Sequence, residues 1–152
     1  MLPILANLVW PALYAEARVS SLPVIALSLA IEFFFFRRLF HLSNGKTVLY
    51  DLAANLASGL VGLLGRPLSG IVYEFTIGAV VMWIFDWGTF NPVAWVSVPI
   101  FGGALNALIE LLTVRLIWNH KVTKRNFYWI WLANIITISA ATIWVVTHPS
   151  NH

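Results

Sequence analysis

"LPVIALSLAIEFFFFRRLF", residues 22–40, reads as a membrane helix in every respect but one. It is close to the roughly 20 apolar residues that a helix needs to cross hydrocarbon. It ends on Arg37 and Arg38, cations of the kind that flank a span. Yet Glu32 stands inside it, directly beside the run Phe33–Phe36. An isolated charge at that depth costs several kcal/mol, so the glutamate needs a partner or a perturbed pKa.

The chain around this stretch has lipid as its natural solvent. Of its 152 residues 60% are hydrophobic, mean hydropathy is +0.83, and only 10% are charged. Soluble domains carry about 25% charged residues. A water-soluble domain of this size has no interior large enough for so much apolar surface. The expected class is all-α: a polytopic transmembrane helical bundle of four to five membrane helices, since lipid tolerates no unpaired backbone polar group. The net charge of +3 does not point to nucleic acid, because the basic residues flank apolar segments as membrane topology requires. The expected setting is a bacterial inner membrane, crossed several times. The phenylalanine run beside basic residues suits contact with anionic lipids.

Five apolar runs stand out: Leu22–Phe40, Val48–Gly65, Leu68–Phe85, Val93–Trp118 and Phe127–Thr147. "HLSNGK" (41–46) reads as a turn with Asn44-Gly45 at its tip, and "GRP" (65–67) as the end of the second helix. "DWGTFNP" (86–92) reads as a polar, aromatic connector, and "NHKVTKRN" (119–126) as a second basic turn. The chain then divides into an interfacial or half-inserted segment (1–21), a first hairpin (22–65), a central apolar segment (66–92), and a second hairpin with its tail (93–152). Residues 1–21 lack the positive leading region of a signal peptide.

Charge sets a puzzle for this division. Arg37, Arg38 and Lys46 surround the first turn; Arg115, Lys121, Lys124 and Arg125 surround the other. Both turns should face the cytoplasm. The central segment would then be re-entrant or lie along the interface. If it spans instead, the two halves are inverted. Charge favours the first arrangement, hydrophobic length the second.

The hairpins resemble each other. Arginine follows five residues after Glu32 and after Glu110, as Arg37 and Arg115. A polar residue precedes each glutamate by four, Ser28 and Asn106. "ANLAS" (54–58) and "ANIIT" (133–137) then repeat Ala-Asn-x-x-Ser/Thr. Ala54, Ser58 and Gly62 form a stripe of small residues, matched by Ala133, Thr137 and Ala141, and such stripes let helices approach closely. Glu32 and Asn55 lie at nearly equal distances from the first turn, as do Glu110 and Asn134 from the second. Each hairpin therefore pairs a buried acid with an amide at similar depth. Glu32, Asn55, Glu110, Asn134, Ser58 and Thr137 form either a polar clamp that sets helix register or a proton or cation site near a pseudo-twofold axis.

Other chemistry finds little support. There is no cysteine, and His41, His120, His148 and His152 fall in turns or the tail. No metal, haem or other cofactor is expected, and no catalytic residues. Ser28, Ser58 and Ser69 are expected to bond to their own helix backbone. The tryptophans suit interfacial anchoring.

At "LASGLVGLLGRP" (56–67) and "ELLTVRL…LANIITIS" (110–139) the chain resembles small multi-pass membrane proteins of bacteria. In those proteins an "IE" helix with trailing arginines precedes an "ANL.S…G.P" unit, and a second "E…NL.S" unit follows. The resemblance covers the two hairpins, fails over 68–95, and implies topology but no activity. Two functions follow as expectations. One is a non-enzymatic scaffold or accessory subunit of a membrane complex, joined to other membrane helices as a homo- or hetero-oligomer. The alternative is a small dimeric proton- or cation-coupled transporter or channel that uses the intramembrane glutamates.

Overall fold

Two residues in the left-handed region end the helices that precede the basic turns, His41 at φ 51° and Asn119 at φ 53°. Asparagine tolerates this conformation better than most residues and commonly closes a helix there. In the computed structural model, which describes residues 22–88 and 91–147 and, within them, no side chains at 22–23, 63–70 and 144–146, these two points mark equivalent corners of two helical hairpins. The expected interfacial segment 1–21 and Ser69's side chain lie outside the described residues.

The first hairpin joins α1 (Leu22–Phe40) to α2 (Asn44–Tyr73). Its turn is shorter than expected. The Ser43 carbonyl accepts both the Thr47 amide and the Thr47 hydroxyl at 2.9 Å, so Asn44 and Gly45 are the first helical residues and not a loop tip. The second turn, 119–123, is longer, and Thr123 and Asn126 close it reciprocally. The Thr123 amide donates to Asn126 Oδ1 at 3.0 Å and the Asn126 amide to Thr123 Oγ1 at 3.3 Å. This is a capping box with asparagine in the place of the usual glutamate.

"GRP" at 65–67 does not end a helix. α2 passes through it to Tyr73, continues as a π turn (Glu74–Gly78), and runs on as α3 (Ala79–Phe85). Proline costs a helix one hydrogen bond and bends it, but need not end it where no water competes for the backbone. Leu68–Phe85 is thus the far part of one helical column that begins at Asn44. After the connector, Asn91 Oδ1 accepts the Ala94 amide at 2.8 Å and caps α4 (Pro92–Ser97). A second π turn, Val98–Gly102, leads into α5 (Gly103–Trp118). Pro99 lies in that wider turn, where its missing N–H is accommodated. α6 (Lys124–Thr147) completes the chain. Among the described residues there is no strand, and two helical runs, Pro92–Trp118 and Lys124–Ile143, are long and apolar enough to cross a membrane.

Four helices form a ring: α1 packs on α2 and α6, and α5 packs on the same two. Both basic turns lie at one end of it. Tyr50, near the start of α2, stacks on Trp118 with ring centroids 3.9 Å apart, and its hydroxyl lies 3.0 Å from His120 Nε2. The two hairpins therefore run in the same direction.

Phe36, Val114 and Ile130 are fully buried beneath these turns. The phenylalanine run surrounds its helix as its spacing dictates: Phe36 faces inward while Phe34 is 68% exposed. Leu56, Leu116 and Phe75 also point outward. An exterior of large apolar side chains suits lipid contact. The small-residue stripes serve the chain itself: Ala54, Ser58, Gly62, Ala133, Thr137 and Ala141 are all buried inside the bundle, so they are not left open for partner helices.

Candidate functional site

The glutamate of the opening stretch has its partners. On α1, Glu32 is 1% exposed, and both its carboxyl oxygens are engaged. The Asn55 amide donates to Oε2 at 2.6 Å, and the Ser28 hydroxyl donates to Oε1 at 2.9 Å. Ser28 lies one turn before Glu32 and bonds it across that turn, not the helix backbone as expected. Ser58 does bond backbone, donating to the Asn55 carbonyl at 3.1 Å.

The second hairpin repeats this with one gap. Glu110 on α5 is completely buried, and Asn134 on α6 donates to its Oε2 at 3.1 Å. Its Oε1 has no hydrogen-bond partner. Asn106, which stands where Ser28 stands in the first hairpin, does not fill the gap. Thr137, the counterpart of Ser58, donates to the Ala133 carbonyl at 3.0 Å. The structure thus joins the expected pairs Glu32–Asn55 and Glu110–Asn134, while Ser58 and Thr137 sit beside the acids without touching them.

A third acid joins the group. Asp51, 3% exposed, lies one turn from Asn55 on α2, and its Oδ1 accepts the same amide at 3.0 Å. Glu32 and Glu110 lie on diagonally opposed helices, and Glu32, Asp51 and Glu110 are near enough to repel one another when ionised. Among the described residues, no lysine or arginine acts on any of the three. Arg37 and Arg115 are exposed and face away from the bundle axis. The sequence offered one signal for Asp51, its i, i+4 spacing to Asn55. The repeat concealed it, because the equivalent position in the second hairpin is the fully buried Ile130.

The two sides of this acid layer differ. Toward the basic turns it is closed by Phe36, Val114, Ile130 and Leu111, all buried. Toward the connector, buried Ser58, Thr137, Thr142 and Ser97 place hydroxyls between the helices. Each donates to its own backbone, which leaves oxygen lone pairs as acceptors. Among the described residues, no three histidines or acids are arranged to hold a metal ion. Compared with known protein families, curated proteins and solved structures, the chain matches none.

Proposed function

We propose that the protein is a multi-pass membrane protein of the bacterial inner membrane. Its buried acids take up and release a proton within the bundle, as in a small proton- or cation-coupled transporter. The observation that carries this reading is the orphaned Oε1 of Glu110. A clamp that only fixes helix register uses both oxygens, as Glu32 does; a site that exchanges a proton keeps one free. Asp51 supports the same reading, since a register clamp gains nothing from a third acid. The apolar closure on the basic side and the hydroxyls on the other support proton access from the connector end.

The test is reconstitution into liposomes that hold a pH-sensitive dye, with an imposed potassium diffusion potential. The wild-type chain should admit protons, and Glu110→Gln should stop the flux while eluting at the wild-type position in gel filtration. A wild-type chain that passes no protons, or a Glu110→Gln chain that passes as many, would sink the idea.

The scaffold reading draws on a different observation: Glu32 is saturated by Asn55 and Ser28. Under it, the pair Glu32→Gln and Glu110→Gln keeps the fold, because glutamine still accepts the amide, and keeps whatever copurifies in mild detergent.

A further inference from the structure

The longer of the two turns leaves an open cleft between α5 and α6, with a volume of about 260 Å³. The cleft has a polarity gradient. Leu108 and Leu112 on α5 and Phe127 on α6 form its apolar part, and Arg115, Thr123 and Lys124 form its polar rim. Leu108, Leu112 and Arg115 share one face of α5, at spacings of four and three. At about 1.5 Å per residue, Arg115 stands roughly 10 Å above Leu108 along the helix.

The rim has charge and no counter-charge. The stretches 37–46 and 115–126 contain seven lysines and arginines and no aspartate or glutamate. Neither Arg115 nor Lys124 pairs with any described residue. The described residues leave these two cations open to an anion from outside.

We infer that this cleft binds the phosphate of an anionic phospholipid at Arg115 and Lys124, with an acyl chain along Leu108, Leu112 and Phe127. The ligand is a phosphate ester attached to a hydrocarbon tail, and the gradient from cation to leucine follows the depth profile of one lipid molecule. Arginine's fork suits two phosphate oxygens, and Lys124 adds a point charge from the facing helix. The source is a membrane lipid and not free phosphate, because the apolar part of the cleft would otherwise be unused.

The test is native mass spectrometry of the full chain released from nanodiscs of equal phosphatidylglycerol and phosphatidylcholine. The wild-type chain should retain phosphatidylglycerol in preference to phosphatidylcholine. The double variant Arg115→Gln, Lys124→Gln should lose about thirtyfold in that retention, at the usual strength of two surface cations toward an anionic lipid. Leu108→Trp, which fills the cleft and keeps the charges, should lose it too, whereas Arg37→Gln with Arg38→Gln should not. Equal retention of both lipids, or an equal loss in the Arg37 and Arg38 variant, would overturn the site in favour of a diffuse basic belt. Complete displacement by inorganic phosphate would overturn the assignment to a lipid.

Discussion

Asn55 donates to Glu32 Oε2 at 2.6 Å, and the same Nδ2 lies 3.0 Å from Asp51 Oδ1, so one amide serves two acids. Asn134 serves one, at 3.1 Å. The substitution Asn55→Leu should therefore cost more than Asn134→Leu, by about 1 kcal/mol for the extra buried hydrogen bond. Thermal unfolding of the two variants in the same detergent measures the difference. Equal losses would mean that the Asp51 contact contributes nothing.

Asp51 occupies the place that Ile130 fills in the second hairpin, and both are buried. An acid beside two other acids destabilises a bundle, and apolar replacements of buried charged groups often stabilise by 1–4 kcal/mol. Asp51→Val, close to isosteric, should raise the unfolding temperature and weaken proton flux together. A variant that gains stability with unchanged flux would remove Asp51 from the proposed proton site.

The two basic turns lie at one end, tied by the 3.0 Å contact between His120 and Tyr50. The chain has no cysteine, so single cysteines at Asn44 and Val122 give clean labels. Both should react with an impermeant reagent from the same side of sealed vesicles. Labelling from opposite sides would contradict the parallel hairpins.

Gly103 lets α5 come close to α6: a Cβ there would lie 3.3 Å from the Ile135 backbone nitrogen. Gly103→Leu should cost about 1–3 kcal/mol through overpacking. A Cβ at Gly59, by contrast, meets nothing within 4 Å. Gly59→Ala should instead stabilise by up to ~1 kcal/mol, the ordinary helix preference for alanine. Unfolding in graded SDS compares the two.

His41 adopts φ 51° although it is not glycine. His41→Gly should relieve about 1 kcal/mol of left-handed strain, less the entropy that glycine restores to the unfolded chain. A measurable drop in unfolding temperature would show instead that the imidazole itself holds the turn.

The helical class and the Glu–Asn pairs were legible in the sequence because both rest on short-range rules. Apolar length reports the solvent, and equal distance from a turn reports equal depth. The arrangement of 66–92 was not legible, because Gly65-Arg66-Pro67 is a stop signal in water and only a bend in a helix whose backbone has no other partner. Asp51 was missed for another reason: a repeat directs attention to what matches, and Asp51 is where the halves differ. The unequal turns were also unforeseen, since Asn44-Gly45 reads as a loop tip unless Ser43 is known to accept the Thr47 amide.

The column from Asn44 to Phe85 sets the outline of the molecule. Its three parts hold 30, 5 and 7 residues end to end. At helical rise the path along it is roughly 60 Å. Tyr73, far along it, packs with Ala94 and Val98, while Phe75 and Trp83 on its outer side stay exposed. One unbroken backbone therefore links the cationic end of the bundle to its apolar far core.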